Sequence, residues 1–167
     1  MSVDEVIQII KKRRSVRMFR RAEIPENIIK NIVDCGRLAP TARNLQPWRF
    51  VVITKRPVLE SIAGLTDYGK FLKDASCCIL VFCENTKYYL EDGCAATENI
   101  LIGAQAYGIG SCWIAGDKKP YTDDVAKVVR APEGLKLVSI IALGYASKET
   151  VCPQKKSLDE VLVWENW

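Results

Sequence analysis

Glu91-Asp-Gly-Cys-Ala-Ala-Thr-Glu-Asn-Ile-Leu-Ile-Gly-Ala-Gln-Ala-Tyr107 leads directly into Gly108-Ile-Gly-Ser-Cys-Trp-Ile-Ala-Gly116. Glu91, Glu98 and Gln105 recur at intervals of seven, with Asp92 and Asn99 beside them, so the polar stripe of this helix is narrow and most of its circumference is buried. Gly93, Ala95, Ala96, Gly103, Ala104 and Ala106 are small, which lets neighbouring backbones approach closely. Gly108 and Gly110 end the helix. Residues 111 to 115 then read as a short buried strand that stops at Gly116. A central helix feeding an inner strand is a scaffold for a site, although periodicity alone is equally that of a plain core helix.

Upstream, Ser2-Val-Asp-Glu5 reads as a capping box, and Val3, Val6, Ile7 and Ile10 at helical spacing carry a first helix to about Lys12. Arg13-Arg14-Ser15-Val16-Arg17 puts three guanidinium groups and a hydroxyl within five residues. That suits bidentate phosphate binding, or is a solvated basic helix end. Pro25 is placed to open a second helix, with Ile28, Ile29, Ile32, Val33 and Cys35 on its apolar side and Pro40 as its stop. The loop from Ala39 to Trp48 holds two prolines, a hydroxyl and two amides, either a rigid connection or polar groups held ready for a planar ligand.

Residues 50 to 54 form a strand, and Pro57 opens a short helix ending near Gly64. Lys70 to Asp74 form a helical turn, and the unbroken apolar run Cys77 to Cys83 an inner strand. Tyr121 to Arg130 reads as a weakly amphipathic helix and Leu137 to Leu143 as a last strand closed by Gly144. The alternation is that of one α/β-type layered domain over residues 1–167, without repeats or linkers. The tail from Ser147 carries Leu158, Val161, Leu162, Trp164 and Trp167; a segment this apolar needs a host, and a twofold partner is the natural one.

Composition narrows the chemistry. The 167 residues suffice for one core, and 24 basic against 20 acidic residues, net +4, is too mild a balance to indicate nucleic acid. No apolar run approaches the roughly 20 residues that span a bilayer, so a cytoplasmic protein without a membrane partner is expected. Seven cysteines without C-x-x-C spacing read as small core residues in a reducing compartment. With no histidine, Ser-His-Asp and Cys-His catalysis and the common zinc sites are excluded, and no metal site is expected. An enzyme of this composition would draw its chemistry from an organic cofactor. Gly108-Ile-Gly110 is not a dinucleotide fingerprint: Trp113 stands where the third glycine belongs, and the order is helix then strand.

Taken together, Arg-Arg-Ser-Val-Arg-Met-Phe at 13–19, Ala-Pro-Thr-Ala-Arg-Asn-Leu-Gln-Pro-Trp-Arg-Phe at 39–50 and Gly-Ile-Gly-Ser-Cys-Trp-Ile-Ala-Gly at 108–116 resemble the nitroreductase-like flavoprotein family. The resemblance implies an α+β fold: a central mixed sheet flanked by helices, a buried central helix, and a C-terminal tail embracing the partner of a homodimer with an FMN at each of two interface sites. It implies that Arg13, Arg14, Ser15 and Arg17 hold the phosphate, ribityl chain and pyrimidine edge. Pro40, Thr41, Ala42 and Asn44 would come from the other protomer, and Ile114, Ala115 and Gly116 would line the ring, with an N–H of Ala115 or Gly116 near N5. Lys155 and perhaps Lys156 would complete the phosphate site. No catalytic side chain is expected, because flavin N5 carries the chemistry. The implied activity is hydride transfer from NADH or NADPH, with ping-pong reduction of a nitroaromatic, a quinone or a similar small-molecule acceptor. Reductive dehalogenation, flavin destruction and a non-turnover flavin or redox-sensing module are the other readings. Three positions depart from the family pattern: Arg43 in place of a small residue adds a cation near the site, Lys155 in place of arginine would act as a point charge rather than a fork, and the short connection 84–87 implies a more open pocket.

Overall fold

In the computed structural model, which describes residues 3–167, the helices are α1 (Val3–Lys12), α2 (Glu26–Arg37), α3 (Arg56–Leu65), α4 (Tyr89–Ala106) and α5 (Thr122–Val128). The strands are β1 (Phe19–Arg20), β2 (Trp48–Ile53), β3 (Cys77–Cys83), β4 (Gly110–Ala115) and β5 (Lys136–Ala146). Short 3₁₀ turns occupy Ala42–Asn44, Lys70–Asp74 and Leu158–Glu160. Ser2 of the expected capping box lies outside the described residues.

The sheet runs β1-β5-β3-β2, with β4 also pairing to β5. Every ladder is antiparallel, and the parallel contribution to this mixed sheet is a single bridge between Ser15 and Ser111. The architecture is therefore α+β, and the helix–strand alternation in the sequence, which suggested an α/β layering, does not translate into parallel crossovers. All seven residues of β3 are buried. Ile79 and Val81 face one core with Ile32 of α2 and Ile100 of α4. Leu80 and Phe82 face the other, with Leu59 and Ile62 of α3 and Val125 of α5. Helices on both faces explain why β3 is continuously apolar rather than alternating.

The buried surface of α4 comprises Asp92, Gly93, Ala96, Thr97, Ile100, Leu101, Gly103 and Ala104. A Cβ on Gly93 would fall 2.6 Å from Val138 Cγ2, so β5 passes directly against the helix there. Several boundaries differ from expectation: β2 begins at Trp48 rather than at 50, and α5 is confined to Thr122–Val128 rather than 121–130. α2 ends at Arg37, ahead of Pro40, with the Leu38 and Ala39 amides turning back onto Asp34, Cys35 and Gly36 carbonyls. β5 passes through Gly144 instead of stopping, because Gly144 pairs with Gly110 and its missing side chain makes room for Phe19, whose ring lies 2.7 Å from where a Cβ would sit.

In the single chain two apolar surfaces lie open. Val3, Val6, Ile7 and Ile10 on α1 are all exposed, as are Val151, Leu158, Val161 to Trp164 and Trp167 in the tail, where Trp164 keeps 77% of its surface.

Candidate functional site

The site is organised along the edge of β4 that faces away from β5. Gly116 N–H donates to Val138 O at 3.1 Å, and because ladder bonding alternates residue by residue, Gly110, Cys112 and Ile114 direct their backbone groups to β5, whereas Ser111, Trp113 and Ala115 direct theirs outward. Two contacts on the outer edge agree: Val16 N–H donates to Ser111 O at 2.8 Å, and Tyr121 Oη donates to Ala115 O. Ala115 is exposed, Ile114 and Gly116 are buried. Of the two amides expected to face a ligand, Gly116's is thus committed to the sheet and Ala115's points to open space. Gly116 is glycine for close approach, since a Cβ would stand 2.8 Å from both Leu137 O and Val138 C. Gly116→Ala should lower the unfolding free energy by about 1–3 kcal/mol, the cost of forcing extra volume into packed backbone, readable as a lower urea midpoint.

The basic segment is stitched onto this edge through Val16 and the Ser15–Ser111 bridge. Burial pushes the Cys112 thiol up, opposed by the positive charges of Arg17 and Arg13. Arg13 Nε also lies 3.4 Å from Glu98 Oε1 of α4. Arg14 turns back to donate to the carbonyls of Lys11 and Arg13, each at 2.7 Å. With Lys12, Gln105 and residues 108–110 it lines an open cleft of about 640 Å³ whose lining also includes residues 149–152. Arg17 is exposed, its guanidinium 3.5 Å from Ser15 O.

The second expected group is elsewhere. Thr41 Oγ1 donates to Asp92 Oδ2 and Ala42 N–H to Asp92 Oδ1, both at 3.0 Å, while Thr41 Oγ1 accepts from Gln46 N–H at 3.2 Å. Asp92 retains only 4% of its surface and sits in the first turn of α4, where the helix dipole favours a carboxylate. This anchor holds a loop whose Arg43, Asn44 and Gln46 adopt φ of 55°, 56° and 50°, conformations that non-glycine residues enter at a cost. Pro40, Arg43 and Asn44 are exposed on it. Asp92 and Glu98, the helix positions touched by the two groups, are six residues apart, about 9 Å along the axis and about 120° around it. Within one chain the loop and the basic segment therefore occupy different faces of α4. Lys155 and Lys156 lie on the exposed tail, beyond the segment 149–152 that lines the Arg14 cleft.

Three residues that matter here were not singled out from sequence. Asp92 was read as part of the polar stripe; the signal for its burial was its place beside Gly93 at the start of an otherwise inward-facing helix. Glu98, the partner of Arg13, carried no such signal, nor did Tyr121, which is 8% exposed. Cys77 and Cys83, pushed up to about 12 by burial, are inert core thiols. Among the described residues no group of histidine, cysteine and carboxylate side chains is arranged to hold a metal ion, and no helix is long and apolar enough to cross a membrane.

Comparison with known proteins gives the family and the fold. A family model described as "Nitroreductase family" matches residues 10–76, and one described as "Putative TM nitroreductase" matches residues 60–167, more than half of the chain. The chain belongs to the nitroreductase family. A "Putative NADH dehydrogenase/NAD(P)H nitroreductase" of Methanothermobacter thermautotrophicus is 34% identical over 152 residues, covering 86% of this chain and 78% of that protein. An "Iodotyrosine deiodinase" of Thermotoga neapolitana is 26% identical over 167 residues, covering 82% of this chain and 86% of its own. The solved structure of an "FMN-dependent Nitroreductase" from Clostridium difficile superposes with a TM-score of 0.89 at 26% identity, covering 96% of this chain and 99% of that one. Membership accounts for the order of the three sequence blocks and for the sheet that the nitroreductase chain builds from them.

Proposed function

We propose that this nitroreductase-family chain is an FMN-dependent oxidoreductase that uses NADH or NADPH to reduce a nitroaromatic, a quinone or a similar conjugated acceptor by a ping-pong mechanism. The observation that carries the reading is the outer edge of β4, where an unpaired Ala115 N–H lies on the same edge as the attached Arg13–Arg17 segment. The residues present suit FMN: cations and a hydroxyl for a phosphate and polar chain, a flat strand edge for a planar ring, and a loop whose Asn44 is exposed. Bound there, FMN would supply hydride acceptance from the nicotinamide and its delivery to the second substrate.

The chain's own groups then bind, orient and polarise. Arg13, Arg14, Ser15 and Arg17 would hold the phosphate and the polar chain and offset the negative charge of a reduced ring. Ile114, Ala115 and Gly116 would form the floor, with the Ala115 amide as the donor toward the ring edge. Pro40, Thr41, Ala42 and Asn44, displaced around α4 from the basic segment, would complete the site of a second copy, and Lys155 and Lys156 would arrive on the tail. The exposed stripe of α1 and the exposed aromatic tail supply the apolar area that a homodimer would cover.

A two-chain site makes a specific prediction. Arg17→Ala and Asn44→Ala homodimers should each bind FMN weakly, whereas a mixed dimer places both lesions in one site and leaves the other intact. Tight binding of one FMN per purified mixed dimer, followed by flavin fluorescence quenching, is the expected result. Weak binding at both sites of the mixed dimer would mean that one chain contributes both residues to the same site. A second reading, reductive dehalogenation, draws on the deiodinase relative. The connection 84–88 between β3 and α4 is five residues long, too short for the lid that such chemistry usually recruits, and iodide release from iodotyrosine by the reduced protein would be needed to revive it.

A further inference from the structure

We infer that Tyr121, by engaging the Ala115 carbonyl, leaves the Ala115 N–H as the dominant group of the β4 edge there, so that the site favours the oxidised form of the ring, whose edge nitrogen accepts a hydrogen bond, over the reduced form, whose edge nitrogen carries a proton. The inference rests on the FMN reading above and adds a residue to it.

Backbone N–H and C=O of one strand residue point the same way, so an outward residue normally offers a ligand both a donor and an acceptor. Ala115 is such a residue, but its carbonyl is already occupied by the Tyr121 phenol. The peptide that carries this carbonyl is held at its other end as well, since Gly116 N–H donates to Val138 O at 3.1 Å and the Asp117 N–H joins it at 3.2 Å. Tyr121 itself is held. It is buried at 8% exposure in the core that includes Ile114, Leu137 and Val125, and its own carbonyl accepts Val125 N–H at 2.9 Å in the first turn of α5. A chain of hydrogen bonds, Tyr121 to Ala115 C=O and Gly116 N–H to Val138, therefore fixes the 115–116 peptide plane from both sides. Among the described residues the Ala115 N–H is unpaired, whereas the carbonyl keeps only the lone pair that the phenol leaves.

The chemical consequence follows from donors and acceptors. An oxidised isoalloxazine presents an acceptor at N5, which an amide N–H satisfies. Two-electron reduction puts a proton on that nitrogen, so the amide then faces another donor, and the carbonyl beside it, already accepting from the phenol, is a weakened acceptor. Removing the phenol frees the Ala115 carbonyl on the same edge and gives the reduced form a partner. Tyr121 is thus a positioning residue, acting through Ala115 and touching no ligand.

The test compares Tyr121→Phe with wild type as loaded holoproteins. The variant keeps the ring in the core and loses only the hydroxyl. The expected result is FMN affinity within a few-fold of wild type and a midpoint potential displaced upward, with the preference for oxidised over reduced FMN weakened by about tenfold, or about 30 mV for a two-electron couple. An unchanged potential with FMN bound would overturn the role of Tyr121 and leave the proposed function standing. A second measurement needs no variant: wild-type apoprotein should bind 5-deaza-FMN, which lacks the acceptor nitrogen, about 2- to 10-fold more weakly than FMN, the loss of one hydrogen bond. Equal affinity for the two would overturn the donor edge itself. Failure of the wild type to bind either flavin would instead contradict the FMN reading.

Discussion

Replacing Asp92 with alanine should lower the unfolding free energy by about 2–4 kcal/mol: hydrogen bonds to a carboxylate are worth about 1.5–3 kcal/mol each, and the two donors, on half-buried Thr41 and Ala42, recover part of that from water. The donors are Thr41 Oγ1 and Ala42 N–H, each 3.0 Å from the carboxylate, in a loop that already contains three non-glycine residues at positive φ. Such strain persists only where the surroundings hold it, and Asp92 is the main restraint on the first half of the loop. With a urea slope of about 2 kcal/mol/M, the midpoint should fall by about 1–2 M. Asp92→Asn, which keeps one acceptor but turns a donor toward the other N–H or hydroxyl, should fall between. A midpoint unmoved by alanine would mean that the loop is held by something other than this carboxylate. Under the two-chain reading, the same variant should also weaken FMN binding, since the loop that carries Asn44 would lose its pose.

The second large effect is on the cofactor. Arg17→Ala should reduce FMN affinity about 10- to 150-fold, the loss of a charge-assisted hydrogen bond worth about 1.5–3 kcal/mol, measured by titrating apoprotein with FMN. Arg17 is the exposed member of the segment, with a single long contact to Ser15 O, so its guanidinium is free to engage an anion and its removal leaves the fold intact. Arg17→Lys should recover only part of the loss, since an ammonium supplies a point charge without the two-pronged geometry. Arg13→Ala should act in the same direction, tempered by its release of Glu98, its partner at 3.4 Å. Unchanged affinity in both alanine variants would place the phosphate elsewhere.

What could be read from sequence, and what could not, follows from where the information lies. The bounds of β3 and of the Lys70–Asp74 turn are those expected, since each is marked by local composition. The helix α4 likewise lies where its narrow polar stripe put it. Short β1 carries no periodic signal: it is two residues, Phe19 and Arg20, held by pairing to Ala146 and Tyr145 more than 120 positions away. The passage of β5 through Gly144 is also non-local, because a glycine that ends a strand and one that admits a phenyl ring look alike until Phe19 is in place. In the candidate site, the basic segment and the β4 terminus were legible as motifs, and the fold brings them to one strand edge. The Asp92 anchor, the Arg13–Glu98 pair and the Tyr121 contact were not, because each joins residues whose proximity only the tertiary structure creates. Which of the Ala115 and Gly116 amides is free is a matter of ladder parity, decided once β4 is seen against β5.

The most direct test of the account is an absorbance spectrum of the purified protein, taken before and after anaerobic addition of NADH and then NADPH. The account predicts flavin bands that bleach with at least one of the two donors and return when a nitroaromatic or quinone is added. Colourless protein that cannot be reconstituted with FMN, or flavin bands that stay oxidised with both donors, would contradict it.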